Sequence, residues 1–143
     1  MDDTKLLLID TTRDRLLVAL LDGKTPEIRT NPEPRRHSEV LNTIVGDFVS
    51  RASAFAVVTG PGSWTGSRVG VVAVKAYALA TGKPIVALEN SPLSKGVPPA
   101  GAGDLGDDEL FSLAWQKFLA RDFTTPHALA PFYNAEFKIT PKK

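Results

Sequence analysis

Four short apolar runs of strand length, Lys5–Asp10 (KLLLID), Leu16–Leu21 (LLVALL), Ala54–Thr59 (AFAVVT) and Pro84–Leu88 (PIVAL), constrain the architecture more than any other feature. Each reads as a buried strand. Thr11–Arg15 is a tight polar turn between the first two runs. Asp22-Gly23 is a hairpin signal, after which Glu27–Thr30 adds a weaker third strand. Three adjacent strands joined by short turns give an antiparallel meander.

Pro32 and Pro34 end the meander, and the period becomes helical from Arg36 to Ala52. Val40, Leu41, Ile44, Val45, Phe48, Val49 and Ala52 fall on one side of that helix, and Glu39, Asn42, Thr43, Gly46, Asp47 and Ser50 on the other. After the strand at Ala54–Thr59 comes a glycine-rich turn, Gly60-Pro61-Gly62-Ser63. Ser63 is placed to cap a helix that begins near Trp64 and runs to Thr81. Gly82 and Pro84 stop it. The order strand, strand, strand, helix, strand, helix, strand predicts an α/β layer architecture with crossovers after the meander. Residues 1–92 form this first domain. Residues 93–108, rich in proline and glycine, read as a linker. Residues 109–143 read as a reduced second domain, with an amphipathic helix over Glu109–Arg121 (Leu110, Leu113, Ala114, Lys117 and Phe118 on one face) and a short final strand within Leu129–Ile139.

Composition excludes several chemistries. The chain has 143 residues, 43% hydrophobic and 23% charged, enough to bury a core. Its net charge of +1 lacks the basic excess of a dedicated nucleic-acid binder. With no cysteine, thiol nucleophiles, disulfides and cysteine-ligated zinc are excluded, and the two histidines, His37 and His127, stand far apart. No metal site or cofactor is expected. The acidic start and the short run Leu6–Ile9 do not make a secretory signal. No stretch approaches the roughly 18 apolar residues of a membrane span. The expected location is the cytoplasm.

Gly60–Gly70 (GPGSWTGSRVG) is the segment that carries most chemical information. A glycine-rich turn before a helix N-terminus can hold an anion. Yet Gly66 is followed by Ser67-Arg68 where a phosphate-binding P-loop needs lysine, and Thr65 stands where a dinucleotide fingerprint needs glycine. Ser63 lacks the flanking glycines of a nucleophile elbow. A structural turn is the plainer reading. A degenerate phosphate loop built from Asp10, Thr11, Thr12, Gly60, Gly62 and Ser63 is the functional alternative. Asp10-Thr11-Thr12 reads as an Asx-type turn, there being no second carboxylate cluster near it in sequence.

The second helix is apolar almost all round. Gly66, Gly70, Ala73, Tyr77 and Ala80 share the side expected to press on the sheet. Trp64, Arg68, Val71, Val72, Lys75 and Leu79 lie opposite, an apolar surface with two basic residues at its centre. A helix of this kind is normally covered on both sides, and the rest of the chain is short, so this side is expected to meet a partner. His37, Leu41 and Val45, on the neighbouring edge of the first helix, are assigned to the same interface. Arg35 and Arg36 at the start of the first helix read as solvated, and His127 as a loop residue without a role.

KLLLIDTT, RRHSEVL and GPGSWTGSRVGVVAVKAYALATGKPIVAL together resemble the first domain of the bacterial TsaB (YeaZ) family over residues 5–93, with GPGSWTGSRVG the specific part. LAPFYNAEF is similar to a faded version of the family's closing strand. The resemblance implies an actin/Hsp70-like fold of ribonuclease-H-like topology, with a shortened second domain here. It implies a non-catalytic subunit that binds a TsaD-type catalytic paralogue, which carries the metal and transfers the threonylcarbamoyl group to the adenosine beside the anticodon of tRNA. A TsaE-type ATPase joins them, and tRNA is contacted only through the complex. The two helices of the first domain make the contact, and similar surfaces make homodimers. The alternative is an enzyme, a nucleotide-binding or nucleotide-hydrolysing protein of the actin-like fold or a glycoprotease-like peptidase. The missing Walker A lysine, thiol, paired histidines and triad speak against it.

Overall fold

A computed structural model describes residues 4–33, 36–61, 64–90 and 105–131. The strands are β1 (Leu6–Asp10), β2 (Leu16–Leu21), β3 (Glu27–Asn31), β4 (Ala54–Val58) and β5 (Ile85–Leu88). The helices are α1 (His37–Val45), α2 (Phe48–Arg51), α3 (Trp64–Thr81) and α4 (Asp107–Leu119). The strands form one sheet in the order β3-β2-β1-β4-β5. β1, β2 and β3 pair antiparallel, as the short turns between them require. β4 joins β1, and β5 joins β4, in parallel, because a helix intervenes before each. This is the mixed sheet of an actin- or ribonuclease-H-like domain.

β1, β2 and β4 are apolar at nearly every position because both faces of the sheet are covered. Alternate residues sort to the two sides. Leu7, Ile9, Val18, Phe55 and Val57 face α1, α2 and α3 through Leu41, Val45, Phe48, Val71, Val74 and Ala78. Leu6, Leu8, Leu17, Ala19, Ala56 and Val86 face α4 through Leu110, Phe111 and Ala114. α4 therefore supplies the cover of the second face. It starts at Asp107, two residues before the expected Glu109, and Leu105, expected in the linker, is buried in the same core. Its packing face is centred on Leu110, Phe111 and Ala114, while Lys117, expected on that face, pairs with Asp122. Beyond α4 the chain turns past the free edge of β5, where the Thr124 N–H donates to the carbonyl of Ile85 at 2.8 Å. Leu129 then enters the core of the opposite face. No strand forms at 129–131, and the rest of the expected final strand lies outside the described residues.

Two helical expectations need correction. The single helix over Arg36–Ala52 is two helices, broken at Gly46, whose φ is 50°. Arg29 from β3 fixes the break: its Nη1 donates to the carbonyls of Ile44 and Val45 at 3.1 and 3.2 Å, and its guanidinium lies 3.7 Å from the Phe48 ring centre. Those carbonyls end α1 and have no partner further along the helix. The phase of α3 is also rotated. Ser67, Gly70, Val71, Val74 and Ala78 are the buried positions, whereas Ala80 is exposed and Gly66, Ala73 and Tyr77 are half-buried. The buried side is thus displaced by one residue, about 100° of rotation, from Gly66, Gly70, Ala73, Tyr77 and Ala80.

Candidate partner interface

α1 and α3 lie side by side on one face of the sheet and leave a groove of about 560 Å³ between them. Ser38, Leu41 and Asn42 form one wall, and Arg68, Val69, Val72, Ala73, Ala76 and Tyr77 the other. The Tyr77 hydroxyl donates to Asn42 Oδ1 across the groove at 2.6 Å. Partial burial raises the pKa of Tyr77, so the phenol stays protonated and able to donate at neutral pH.

The expected interface residues divide. Val72 and Leu79 are 61% and 74% exposed, both large apolar side chains left open to solvent. They are seven residues apart, two helical turns, and so share one face of α3. Arg68 is exposed beside them and Lys75 half-buried. Val71, by contrast, is 1% exposed and belongs to the core, as do Leu41 and Val45. They lie against the sheet, and of the three only Leu41 also lines the groove. His37 is buried too, its Nε2 donating to the carbonyl of Arg13 at 2.7 Å. These four therefore support the surface from beneath. The side chain of Trp64 lies outside the described residues. Ser38, Asn42, Ala76 and Tyr77 are groove residues that sequence reasoning left out. The true phase of α3 would have exposed Ala76, but Asn42 and Ser38 carry no sequence signal of their own.

The second cluster sits where β1, β4 and β5 end. Asp10 is buried, and its Oδ1 accepts from the Thr12 N–H at 2.9 Å and the Thr12 hydroxyl at 2.6 Å. This is the expected Asx-type turn. Burial raises the pKa of Asp10, an effect opposed by the Thr12 bonds and by Arg13. Asn90 donates from Nδ2 to the Thr12 hydroxyl at 2.7 Å and to the carbonyl of Pro61 at 3.1 Å. Sequence reasoning missed Asn90, which follows β5 and stands 78 positions from Thr12. Gly60, with φ 139°, uses a conformation open to glycine. Gly62 and Ser63 lie outside the described residues. Arg13 spans the cluster, its Nε 3.7 Å from Asp10 and its Nη1 3.8 Å from Asp107. The Asp10 carboxylate is thus engaged by Thr12 and Arg13, an arrangement suited to holding a turn. Among the described residues no group of three acidic or histidine side chains is placed to hold a metal ion. Nor is any helix there long and apolar enough to cross a membrane.

Comparison with known structures then decides the fold. YeaZ from Pseudomonas aeruginosa superimposes with a TM-score of 0.73, covering 92% of this chain and 100% of that one. The fold is that of YeaZ. A second structure, of an uncharacterized protein with similarity to peptidase YEAZ from Pseudomonas aeruginosa, gives the same score with 91% and 99% coverage. Both are 18% identical to this chain, so they speak for its fold. Sequence similarity adds a second line. The family model described as TsaD, tRNA N6-adenosine threonylcarbamoyltransferase, matches residues 25–91. That span runs from the start of β3 to the end of β5 and includes both groove helices. A tRNA N6-adenosine threonylcarbamoyltransferase from Bartonella bacilliformis is 37% identical over 75 residues, 48% of this chain. The chain spans 20% of the length of that relative. The fold is thus that of YeaZ, and residues 25–91 are similar in sequence to tRNA N6-adenosine threonylcarbamoyltransferases.

Proposed function

We propose that this chain is a non-catalytic scaffold subunit that docks a TsaD-type catalytic paralogue through the α1–α3 groove. It thereby supports threonylcarbamoyl transfer to the adenosine beside the anticodon of tRNA. The observation that carries this reading is the open apolar face of α3, with Val72 and Leu79 exposed beside a formed groove. An isolated exposed apolar residue needs no explanation, but two on one helix face along a groove mark a contact surface. A TsaE-type ATPase joins through the assembled pair. tRNA is reached through the complex, consistent with a net charge of +1. In the absence of the paralogue the same face serves for homodimerisation, and the complex works in the cytoplasm. The alternative of a nucleotide hydrolase or peptidase has less support, because Asp10 is already engaged by Thr12 and Arg13.

Calorimetric titration of a TsaD-type subunit from the same source tests the reading. Leu79→Asp is expected to weaken association at least about tenfold, or 1.4 kcal/mol, by placing a charge in a desolvated contact. Its far-UV spectrum and melting should stay close to wild type, because the side chain leaves little buried area behind. Wild-type affinity in a folded Leu79→Asp variant would remove the proposed surface.

A further inference from the structure

Thr11 is fully buried at the start of the β1–β2 turn, yet its bonds reach a helix more than fifty residues away. Its hydroxyl donates to the carbonyl of Gly66 and accepts from the N–H of Gly70 at 2.9 Å. Residues 66 and 70 are the two ends of one i to i+4 rung of α3. The hydroxyl therefore bridges the two ends of one rung of the helix and ties it to the turn. Two residues along, the carbonyl of Arg13 accepts from His37 Nε2 at 2.7 Å, at the first residue of α1. One short turn thus pegs both walls of the groove at their N-terminal ends. The Tyr77–Asn42 bond ties the walls further along. Val69, Val72 and Ala73, all groove residues, lie within one turn of Gly70.

Resting on the partner-docking reading above, we propose that Thr11 is a positioning residue for the α1–α3 groove. It contacts no partner but sets where the first turns of α3 stand relative to α1, and so the shape that a partner meets. A threonine with only a packing role would need its volume and methyl group. A positioning role needs the hydroxyl, and serine supplies that.

The test uses the full chain with three variants, Thr11→Val, Thr11→Ser and Leu79→Asp. Each is titrated against the TsaD-type subunit, and each is followed by amide hydrogen exchange in the free protein. Thr11→Val keeps the volume and should stay folded, yet weaken association about five- to tenfold, the effect of one or two buried hydrogen bonds. Amides of residues 66–73 should exchange faster in it while those of β1 and β4 do not. Thr11→Ser should return both readouts to wild type. If Leu79→Asp weakens binding and a folded Thr11→Val does not, the positioning role is wrong and the docking reading stands. If the wild type binds no such subunit, the docking reading fails and exchange alone decides. Exchange over 66–73 that is unchanged in Thr11→Val, or that Thr11→Ser fails to restore, overturns the proposal. Should Thr11→Val unfold, Thr11→Ser decides instead, since loss of binding in a folded serine variant assigns Thr11 to packing.

Discussion

Gly70→Ala is the sharpest test of how α3 seats on the sheet. In an open helix the substitution stabilises by about 1 kcal/mol, because glycine loses more backbone freedom. Here a Cβ at position 70 would stand 2.9 Å from Thr11 Oγ1, 3.3 Å from Val57 Cγ2 and 3.4 Å from Ile9 Cγ2. None of these can withdraw easily. Thr11 is held by two hydrogen bonds, and Val57 and Ile9 are fully buried in the sheet. Overpacking of this sort costs about 1–3 kcal/mol, and displacing the hydroxyl forfeits about 1 kcal/mol more per lost bond. The helix-propensity gain offsets only part, leaving a net loss of about 1–3 kcal/mol. At an m-value of about 1.5 kcal/mol/M for a domain of this size, the urea midpoint should fall by about 1 M or more. Adding Thr11→Ala removes the nearest atom and should recover part of the loss, giving a coupling above about 0.5 kcal/mol. A midpoint equal to or above wild type in the single variant would falsify the close approach of α3 to β1.

Adjacent positions on α3 should separate core from surface. Val71→Asp is expected to unfold the chain in a thermal melt, because it buries a charge without a partner, whereas Val72→Asp should melt like wild type. Leu129→Ala should cost about 2–3 kcal/mol by chemical denaturation, since this side chain is the anchor that ends the turn past β5. Arg15→Ala should cost less than about 1 kcal/mol despite two 2.7 Å contacts with Asp107, because both side chains are about one-third exposed. Asp10 gives a pH signature. Its folded pKa lies above the unfolded value of about 3.8, so the folded state holds the proton more tightly and its contribution to stability falls as pH rises from there through the folded pKa. The stability of the wild type relative to Asp10→Asn should therefore grow as pH is lowered to about 4 and level off below it. A difference that shrinks on acidification would show that the Thr12 and Arg13 contacts outweigh burial.

The strands were legible because a sheet buried on both faces writes itself as unbroken apolar runs. KLLLID, LLVALL and AFAVV needed no tertiary knowledge. The helices were less so. Gly46 sits on the polar side of a plausible continuous wheel, and what ends α1 there is Arg29, from another element. In α3, alanine, valine and glycine on every side leave no polar stripe to fix the phase. The deciding fact is the Thr11–Gly70 contact, which joins positions 59 residues apart. The same blindness placed Val71 outside and Tyr77 inside. In the turn cluster, the local bonds of Asp10 and Thr12 were readable from Asp-Thr-Thr, but Asn90 was not, because its role exists only once β5 lies beside β4. α4 was recognised as a helix, but its packing on the second face of the sheet was not read. Its apolar face has no visible counterpart in sequence until the sheet has a second side to cover.

That cover bears on where a partner can bind. The edge strand β5 is guarded by the Thr124 bridge and by the chain running past it to Leu129. The other edge strand, β3, has only five residues, with Pro26 before it and Pro32 after it, and neither proline can donate to an added strand. Among the described residues the remaining large exposed apolar side chains stand apart. Ile28 is on β3, Leu119 ends α4, and Phe123 packs its ring 6.2 Å from that of Phe118. Val72 and Leu79 share one face of α3, and Val72 lines the groove. With both sheet edges guarded and α4 over the second face, that groove, with Val72 in its wall and Leu79 on the same helix face, keeps apolar side chains open among the described residues. It is also bounded by two helices that a single turn holds in register, so its shape is set before any partner arrives. A preformed surface loses less conformational freedom on association than one that must order itself. Disrupting Thr11 is therefore expected to weaken binding without touching a contact residue, whereas Leu79→Asp acts at the contact itself.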